Sequence, residues 1–135
     1  MSDAPRILDA ATILLVRGDG PDRTCFWVQR SREVSNGGGF FAMPGGRVDR
    51  HDLDLAGKFG AVLRDPEHDD PAKTTALAIA AIRETFEETG VLLARGRFAR
   101  DGLADHRKAL LEGRTTFAAL LDLLDAVPDF DALYY

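Results

Sequence analysis

The sequence predicts one domain of the α/β (α+β) class, with strands and helices sharing a single core. Short apolar and β-branched runs at residues 11–18 and 24–31 indicate strands near the N-terminus. A long run of helix-forming residues follows at 71–89, and shorter amphipathic patterns follow at 103–113 and 115–126. We therefore expect both kinds of element in one compact unit.

The composition bounds the domain count and the class of partner. The chain has 135 residues, which suffice for one domain (1–135) and are too few for two ordinary ones. The formal net charge of -5 argues against nucleic acid and anionic membranes as partners, because both attract a basic surface. The N-terminal segment is acidic where a signal peptide is basic, and its apolar run is too short to span a bilayer. We expect a soluble protein of the reducing cytoplasm.

The first two apolar runs predict a hairpin. ATILLVRG (11–18) is typical of a strand that is buried on both faces, and TCFWVQRS (24–31) is rich in aromatic and β-branched residues. The turn-forming residues GDGPDR separate the two runs. Cys25, the single cysteine, is expected to be a buried thiol, since it precedes an apolar run.

Residues 35–70 predict a glycine-rich loop followed by a charged stretch without a regular pattern. SNGGGFFAMPGG (35–46) contains five of the 13 glycines and predicts a loop that allows close backbone approach. The charged stretch 47–70 has no sustained period, and we expect a long excursion with one short helix. Residues 50–70 within it are expected to be mobile, to lie outside the core and to be near the mouth of the active site, because they connect the glycine-rich loop to the long helix that follows.

The strongest helix signal has clear ends. Asp70 is a suitable N-cap, Pro71 suits the first helical position, and Gly90 is suited to stop the helix. VLLA (91–94) then predicts a strand. Of the later helices, the second is expected to be capped by Thr115 or Thr116, and PDFDALYY ends as though another strand were beginning.

The long helix separates an apolar face from an acidic one. At about 100° per residue, four apolar residues fall within one quarter of the helix circumference: Ala78, Ile79, Ile82 and Phe86. Glu84, Glu87 and Glu88 converge on the opposite side, and Arg83 lies one turn from Glu87. Carboxylates repel one another and are disfavoured at a helix C-terminus. The cluster is therefore either a solvated acidic face or a platform of hard oxygen ligands for Mg²⁺ or Mn²⁺.

Residues 83–91, RETFEETGV, resemble the second half of the Nudix box. Only Thr85 departs, since an aliphatic residue is usual there. In the first half, Gly45 and Gly46 match, but Gly46 lies much farther from Arg83 than is usual. No glutamate stands between them at the usual place, although Asp52 follows Gly46 at the usual distance.

This spacing makes residues 50–70 resemble an insertion inside the box, as in the subgroup related to the peroxisomal coenzyme A diphosphatases. Arg30, Ser31, Val34, Gly39 and the Pro44-Gly45-Gly46 turn also match the coenzyme A signature of that subgroup at similar intervals. Met43 and Ser35 depart from it. Arg30 is either a phosphate ligand or simply a charged strand end.

The resemblance implies a mixed sheet sandwiched between helices, and hydrolysis of a pyrophosphate bond in a nucleotide conjugate with Mg²⁺ or Mn²⁺. It assigns the metal to Glu84, Glu87, Glu88 and the Gly46 carbonyl. The resemblance also assigns catalytic roles to Glu84, as the first choice of general base, and to Arg83, which would orient the glutamates. It assigns substrate contacts to four residues: Arg30, Ser31, Gly45 and Gly46. Coenzyme A or an acyl-coenzyme A is the first candidate substrate.

The C-terminal pattern leaves alternatives open. Relatives continue into further strands, so the sheet is expected to be incomplete and the chain to be an N-terminal fragment, with an edge that a second copy could cover. Three hypotheses follow: a metal-dependent diphosphohydrolase, a non-catalytic Nudix-like binding module, and an interaction domain whose acidic helix end is only solvated.

Overall fold

The computed structural model describes residues 8–33, 37–60 and 70–134. The elements of this part of the chain are, in order, β1 (Ala10–Thr12), β2 (Val16–Arg17), β3 (Thr24–Cys25), β4 (Val28–Gln29), β5 (Phe41–Ala42), β6 (Gly45–Arg47), α1 (Arg50–Phe59), α2 (Pro71–Thr89), β7 (Ala94–Gly96), α3 (Leu103–Leu111), α4 (Phe117–Leu123) and β8 (Ala126–Pro128). The α+β class is confirmed. None of the helices in these ranges is long and apolar enough to cross a membrane.

The strands form antiparallel pairs. β1 pairs with β6, β2 with β3, β4 with β5, and β7 with β8. The predicted hairpin is confirmed by the β2–β3 pair, in which Val16 lies opposite Cys25. The single mixed sheet implied by the resemblance is not formed within the described ranges, where every pair is antiparallel. The β1–β6 register places Gly46 opposite Ala11 and so brings the glycine turn into the fold.

Helix α2 is the centre of the core. Its predicted apolar face is confirmed, because Ala78 is 5% exposed and Ile79, Ile82 and Phe86 are fully buried. Helices α1 and α4 and the C-terminal turn supply the buried residues that pack with it: Leu55, Ala56, Phe117, Leu120, Leu121 and Phe130.

The expectation that residues 50–70 lie outside the core is wrong for its first half. Residues 50–59 form α1, which buries Leu55 and Ala56 against α2. Phe59 packs edge-on against Phe130, with ring centroids 5.8 Å apart. Three apolar residues at helical spacing are enough to hold this segment, although its charged composition hides them. Residues 61–69 lie outside the described ranges.

The first strands are less buried than their sequence predicts. Leu14 and Val16 are 53% and 42% exposed, and Cys25 is exposed instead of buried. Each of β1, β2 and β3 has one strand partner in the described ranges, so a second edge or face stays open. One smaller boundary also differs, since the strand after α2 begins at Ala94 and not at residue 91. Of the two predicted caps of α4, the structure has Thr116.

Candidate active site

Helix α2 ends where its sequence predicts. The Asp70 side chain accepts a hydrogen bond from the Lys73 N–H at 3.0 Å, with Pro71 in the first turn. Gly90 adopts φ 78°, a left-handed conformation that glycine reaches without strain, and its N–H donates to the Phe86 carbonyl. This stop fixes the last turn, which carries the clustered glutamates.

Arg83 is the hub of the site. Its Nε and Nη2 atoms donate to the two carboxylate oxygens of Asp52, each at 2.9 Å. The two side chains are 7% and 1% exposed, so this bidentate pair is almost completely removed from water. Nη2 also donates to the Arg47 carbonyl at 3.0 Å, which ties α2 to the end of β6.

The remaining guanidinium nitrogen of Arg83 holds two of the three glutamates. Nη1 donates to Glu84 Oε1 at 2.8 Å and to Glu87 Oε1 at 3.2 Å. The predicted ion pair between Arg83 and Glu87 is therefore present, and Glu84 shares it. One oxygen of each carboxylate is held beside the same nitrogen, and within the described ranges no hydrogen bond occupies the second oxygen of either.

Asp52 is a residue of the site whose burial the sequence did not predict. We expected residues 50–70 to lie outside the core, yet Asp52 is buried on α1. It also forms a capping box: Asp52 N–H donates to Asp49 Oδ1 and Asp49 N–H donates to Asp52 Oδ2. Two signals were available in the sequence. Asp52 follows Gly46 at the glycine-to-glutamate distance of the Nudix box, and Asp49 and Asp52 have the three-residue spacing of a capping box.

The glycine turn lies against the acidic end of α2. The Gly45 N–H donates to Glu88 Oε2 at 3.3 Å, so the third glutamate contacts the loop. A side chain at Gly46 would overlap the Glu84 carboxylate, and one at Gly45 would overlap the Ala11 carbonyl. Gly45 is therefore required by the close approach of β6 to the β1 backbone, and a side chain at Gly46 would force the Glu84 carboxylate out of its place.

Burial makes the carboxyl groups of Glu87 and Glu88 harder to ionise. It raises the pKa of Glu87, and the charge and hydrogen bond of Arg83 only partly oppose this effect. Burial also raises the pKa of Glu88; the Gly45 N–H lowers it, and repulsion from Glu84 raises it further. For Arg83, burial alone would lower the pKa, but Asp52 and then Glu84 and Glu87 outweigh it and raise the pKa. Negative charge is thus held close together with incomplete compensation.

The two other predicted substrate ligands differ in position. Arg30 is exposed at the end of β4, and its positive charge is close enough to Glu88 to lower the pKa of that carboxyl. Its N–H donates to the Phe40 carbonyl at 2.9 Å. Ser31 is also exposed, and its hydroxyl accepts a hydrogen bond from the Glu33 N–H. In the described ranges no hydrogen bond joins Ser31 to the acidic cluster on α2. Val34 and Ser35 lie outside those ranges.

The ligand chemistry of the site fits a hard divalent cation. Glu84, Glu87 and Glu88 supply only carboxylate oxygens, the ligands that Mg²⁺ and Mn²⁺ prefer. Arg83 holds Glu84 and Glu87 together, however, whereas Glu88 accepts a hydrogen bond from the Gly45 N–H instead. Among the residues that the structure describes, no three acidic, histidine or cysteine side chains are gathered around one point.

A similar fold occurs in a solved structure, a NUDIX hydrolase from Alicyclobacillus acidocaldarius. The TM-score is 0.70 at 29% sequence identity, and the match covers 93% of this chain. This chain spans 58% of the length of that protein. The fold is therefore Nudix-like. No protein-family model matched the sequence, and no match was found among curated proteins.

Replacing Gly46 with alanine is expected to destabilise the protein, because the new methyl group has to displace the Glu84 carboxylate. Gly57 is the matched control: it lies within α1 with nothing near its missing side chain. Gly57→Ala should stabilise the protein by about 0.5–1 kcal/mol through helix propensity. Urea unfolding of both variants tests the contrast, and equal stability changes would contradict the close approach at Gly46.

Proposed function

We propose that this chain carries the catalytic centre of a Mg²⁺- or Mn²⁺-dependent hydrolase that cleaves a pyrophosphate bond in a nucleotide-linked small molecule. One observation carries the proposal: a buried Asp52–Arg83 pair holds Glu84 and Glu87 side by side, next to a glycine turn that contacts Glu88. The helix dipole disfavours carboxylates at this end, and burying an arginine is costly. A helix end with only a structural role would need neither the clustered carboxylates nor the buried arginine that holds them.

Glu84, Glu87 and Glu88 would hold the cation, with the Gly46 carbonyl as a further candidate. When bound, the cation neutralises phosphoryl charge and makes a water molecule more acidic. Arg83 keeps one oxygen of Glu84 and of Glu87 fixed, so that their free oxygens need little reorganisation. Glu84 is the proposed base: it accepts a proton from the water that attacks phosphorus while the bridging P–O bond breaks.

Coenzyme A or an acyl-coenzyme A is the proposed substrate. Arg30 supports this choice, because it is exposed and electrostatically coupled to Glu88, where it can meet a phosphate of the bound molecule. Coenzyme A, NADH, ADP-ribose and a dinucleoside polyphosphate should be compared at equal concentration with Mn²⁺. Preference for any of the last three would reject the coenzyme A substrate and keep the reaction class. Hydrolysis of none would reject catalysis by this chain.

A non-catalytic binding module is the second candidate. One observation favours it: in the described residues the three carboxylates are not gathered around one point. Such a module would bind the same metal–nucleotide complexes without turnover. Calorimetric binding of Mn²⁺ and ADP-ribose in the absence of product would distinguish it from the hydrolase.

Replacing Glu88 with glutamine is expected to raise the melting temperature at neutral pH without metal by about 1–3 °C. The raised pKa of Glu88 means that its stabilising contribution is present below its ordinary value of 4.5 and lost as the pH rises through the higher folded value. Glutamine removes the charge and keeps an acceptor for the Gly45 N–H. Circular dichroism melting in EDTA tests this, with the exposed Glu112→Gln as control. A lower melting temperature for Glu88→Gln alone would contradict it.

A further inference from the structure

We propose that Arg107, on α3, is a positioning residue that sets the last turn of α2 and thereby the spacing of Glu87 and Glu88. Its Nε donates to the Glu87 carbonyl at 2.7 Å, and its Nη2 donates to the Glu88 carbonyl at 3.2 Å. As a contribution to metal binding, this role rests on the proposed function. The contacts themselves join α3 to α2, since Arg107 lies 20 residues after Glu87 and 19 after Glu88.

These two carbonyls need a donor from outside the helix. The last four carbonyl groups of an α-helix lack partners within it. At this end the Gly90 N–H is used by the Phe86 carbonyl, and the next two carbonyls are those of Glu87 and Glu88. Arg107 satisfies both with one planar guanidinium, whose fork of donors restricts their relative position.

The contact acts on the residues that carry the acidic cluster. The carbonyls held by Arg107 belong to two of the three glutamates, so movement of the last turn moves their side chains directly. The stem of Arg107 also lies beside Gly90, where a side chain would come within 3.8 Å of Arg107 Cδ. The turn is therefore held from α3 at its two carbonyls, next to its stop residue.

Charge and geometry predict opposite effects of removing Arg107. A guanidinium near a cation site repels the cation, so a purely electrostatic role predicts tighter Mn²⁺ binding once the charge is lost. A positioning role predicts weaker binding, because the freed turn leaves Glu87 and Glu88 less well placed. Groups that orient metal ligands typically change metal affinity by about 10–100-fold when they are removed.

The test compares three variants by Mn²⁺ titration calorimetry, well below their melting temperatures. Arg107→Met should bind Mn²⁺ about tenfold more weakly than the unmodified chain. Arg107→Lys, which keeps the charge but has a single donor group, should fall between the two. Lys108→Met is the matched control, because it removes the cation next to Arg107 in the sequence. The Lys108 side chain is 70% exposed and lies 4.0 Å from Glu112, so Mn²⁺ affinity should not change. Unchanged or tighter binding by Arg107→Met overturns the proposal.

Hydrogen exchange separates this inference from the proposed function. If the unmodified chain does not bind Mn²⁺, the proposed function fails, but the positioning of the last turn is still measurable. The Gly90 amide should exchange about tenfold faster in Arg107→Met, because the turn that it closes opens more often. Exchange at the same rate in both proteins overturns the positioning role, whatever the outcome of the metal titration.

Discussion

Replacing Arg83 with methionine is expected to destabilise the protein by about 3–5 kcal/mol, as is usual when one partner of a buried ion pair is removed. The variant keeps the stem of the side chain but leaves the Asp52 carboxylate, 1% exposed, without its bidentate partner. It also breaks the link between α2 and the Arg47 carbonyl. Urea unfolding at neutral pH measures the loss.

Two further variants make this result specific. Arg50→Met removes an exposed cation of α1 that lies 4.0 Å from Asp54, and it should change stability by less than about 0.5 kcal/mol. The double variant Arg83→Met with Asp52→Asn removes the stranded charge, so it should recover part of the lost stability. If Arg83→Met is no more destabilising than Arg50→Met, the buried pair does not hold the site together.

Replacing Glu84 with glutamine is expected to lower the hydrolytic rate by about 10²–10³-fold, the usual effect of removing one group that stabilises charge in the transition state. Glutamine keeps the size of the side chain and an oxygen for Arg83 Nη1, but it loses the negative charge and the proposed base. Product formation from the preferred nucleotide conjugate, with Mn²⁺ in excess, measures the change.

The control for Glu84→Gln is Glu112→Gln, which removes an exposed carboxylate at the end of α3 and should leave the rate unchanged. Both proteins should show the circular dichroism spectrum of the unmodified chain. If Glu84→Gln keeps more than a tenth of the rate, the proposed base is elsewhere.

Local sequence signals predicted the part of the site that lies within α2. The cap at Asp70, the stop at Gly90 and the buried face around Ile82 depend on helix periodicity and terminal residues alone. The same periodicity placed Arg83 and Glu87 one turn apart, so their ion pair followed from the helix itself.

The contacts made by other elements could not be predicted in this way. Asp52 is 31 residues from Arg83, and its burial depends on α1 packing against α2, which the charged composition of that segment conceals. Arg107 carries no signal in its own helix, because its partners are backbone carbonyls of α2. The exposure of Cys25 also depends on which strands pair, a long-range property that apolar content does not determine.

Mn²⁺ titration calorimetry of the unmodified chain and of a variant with glutamine at Glu84, Glu87 and Glu88 tests the metal site most directly. Glutamine keeps the shape of the three side chains and removes the charge that a hard cation requires. The proposed site predicts saturable Mn²⁺ binding by the unmodified chain and none by the triple variant, with Glu112→Gln binding as the unmodified chain does. Equal binding by the triple variant, or no binding by the unmodified chain, would contradict a metal site at the end of α2.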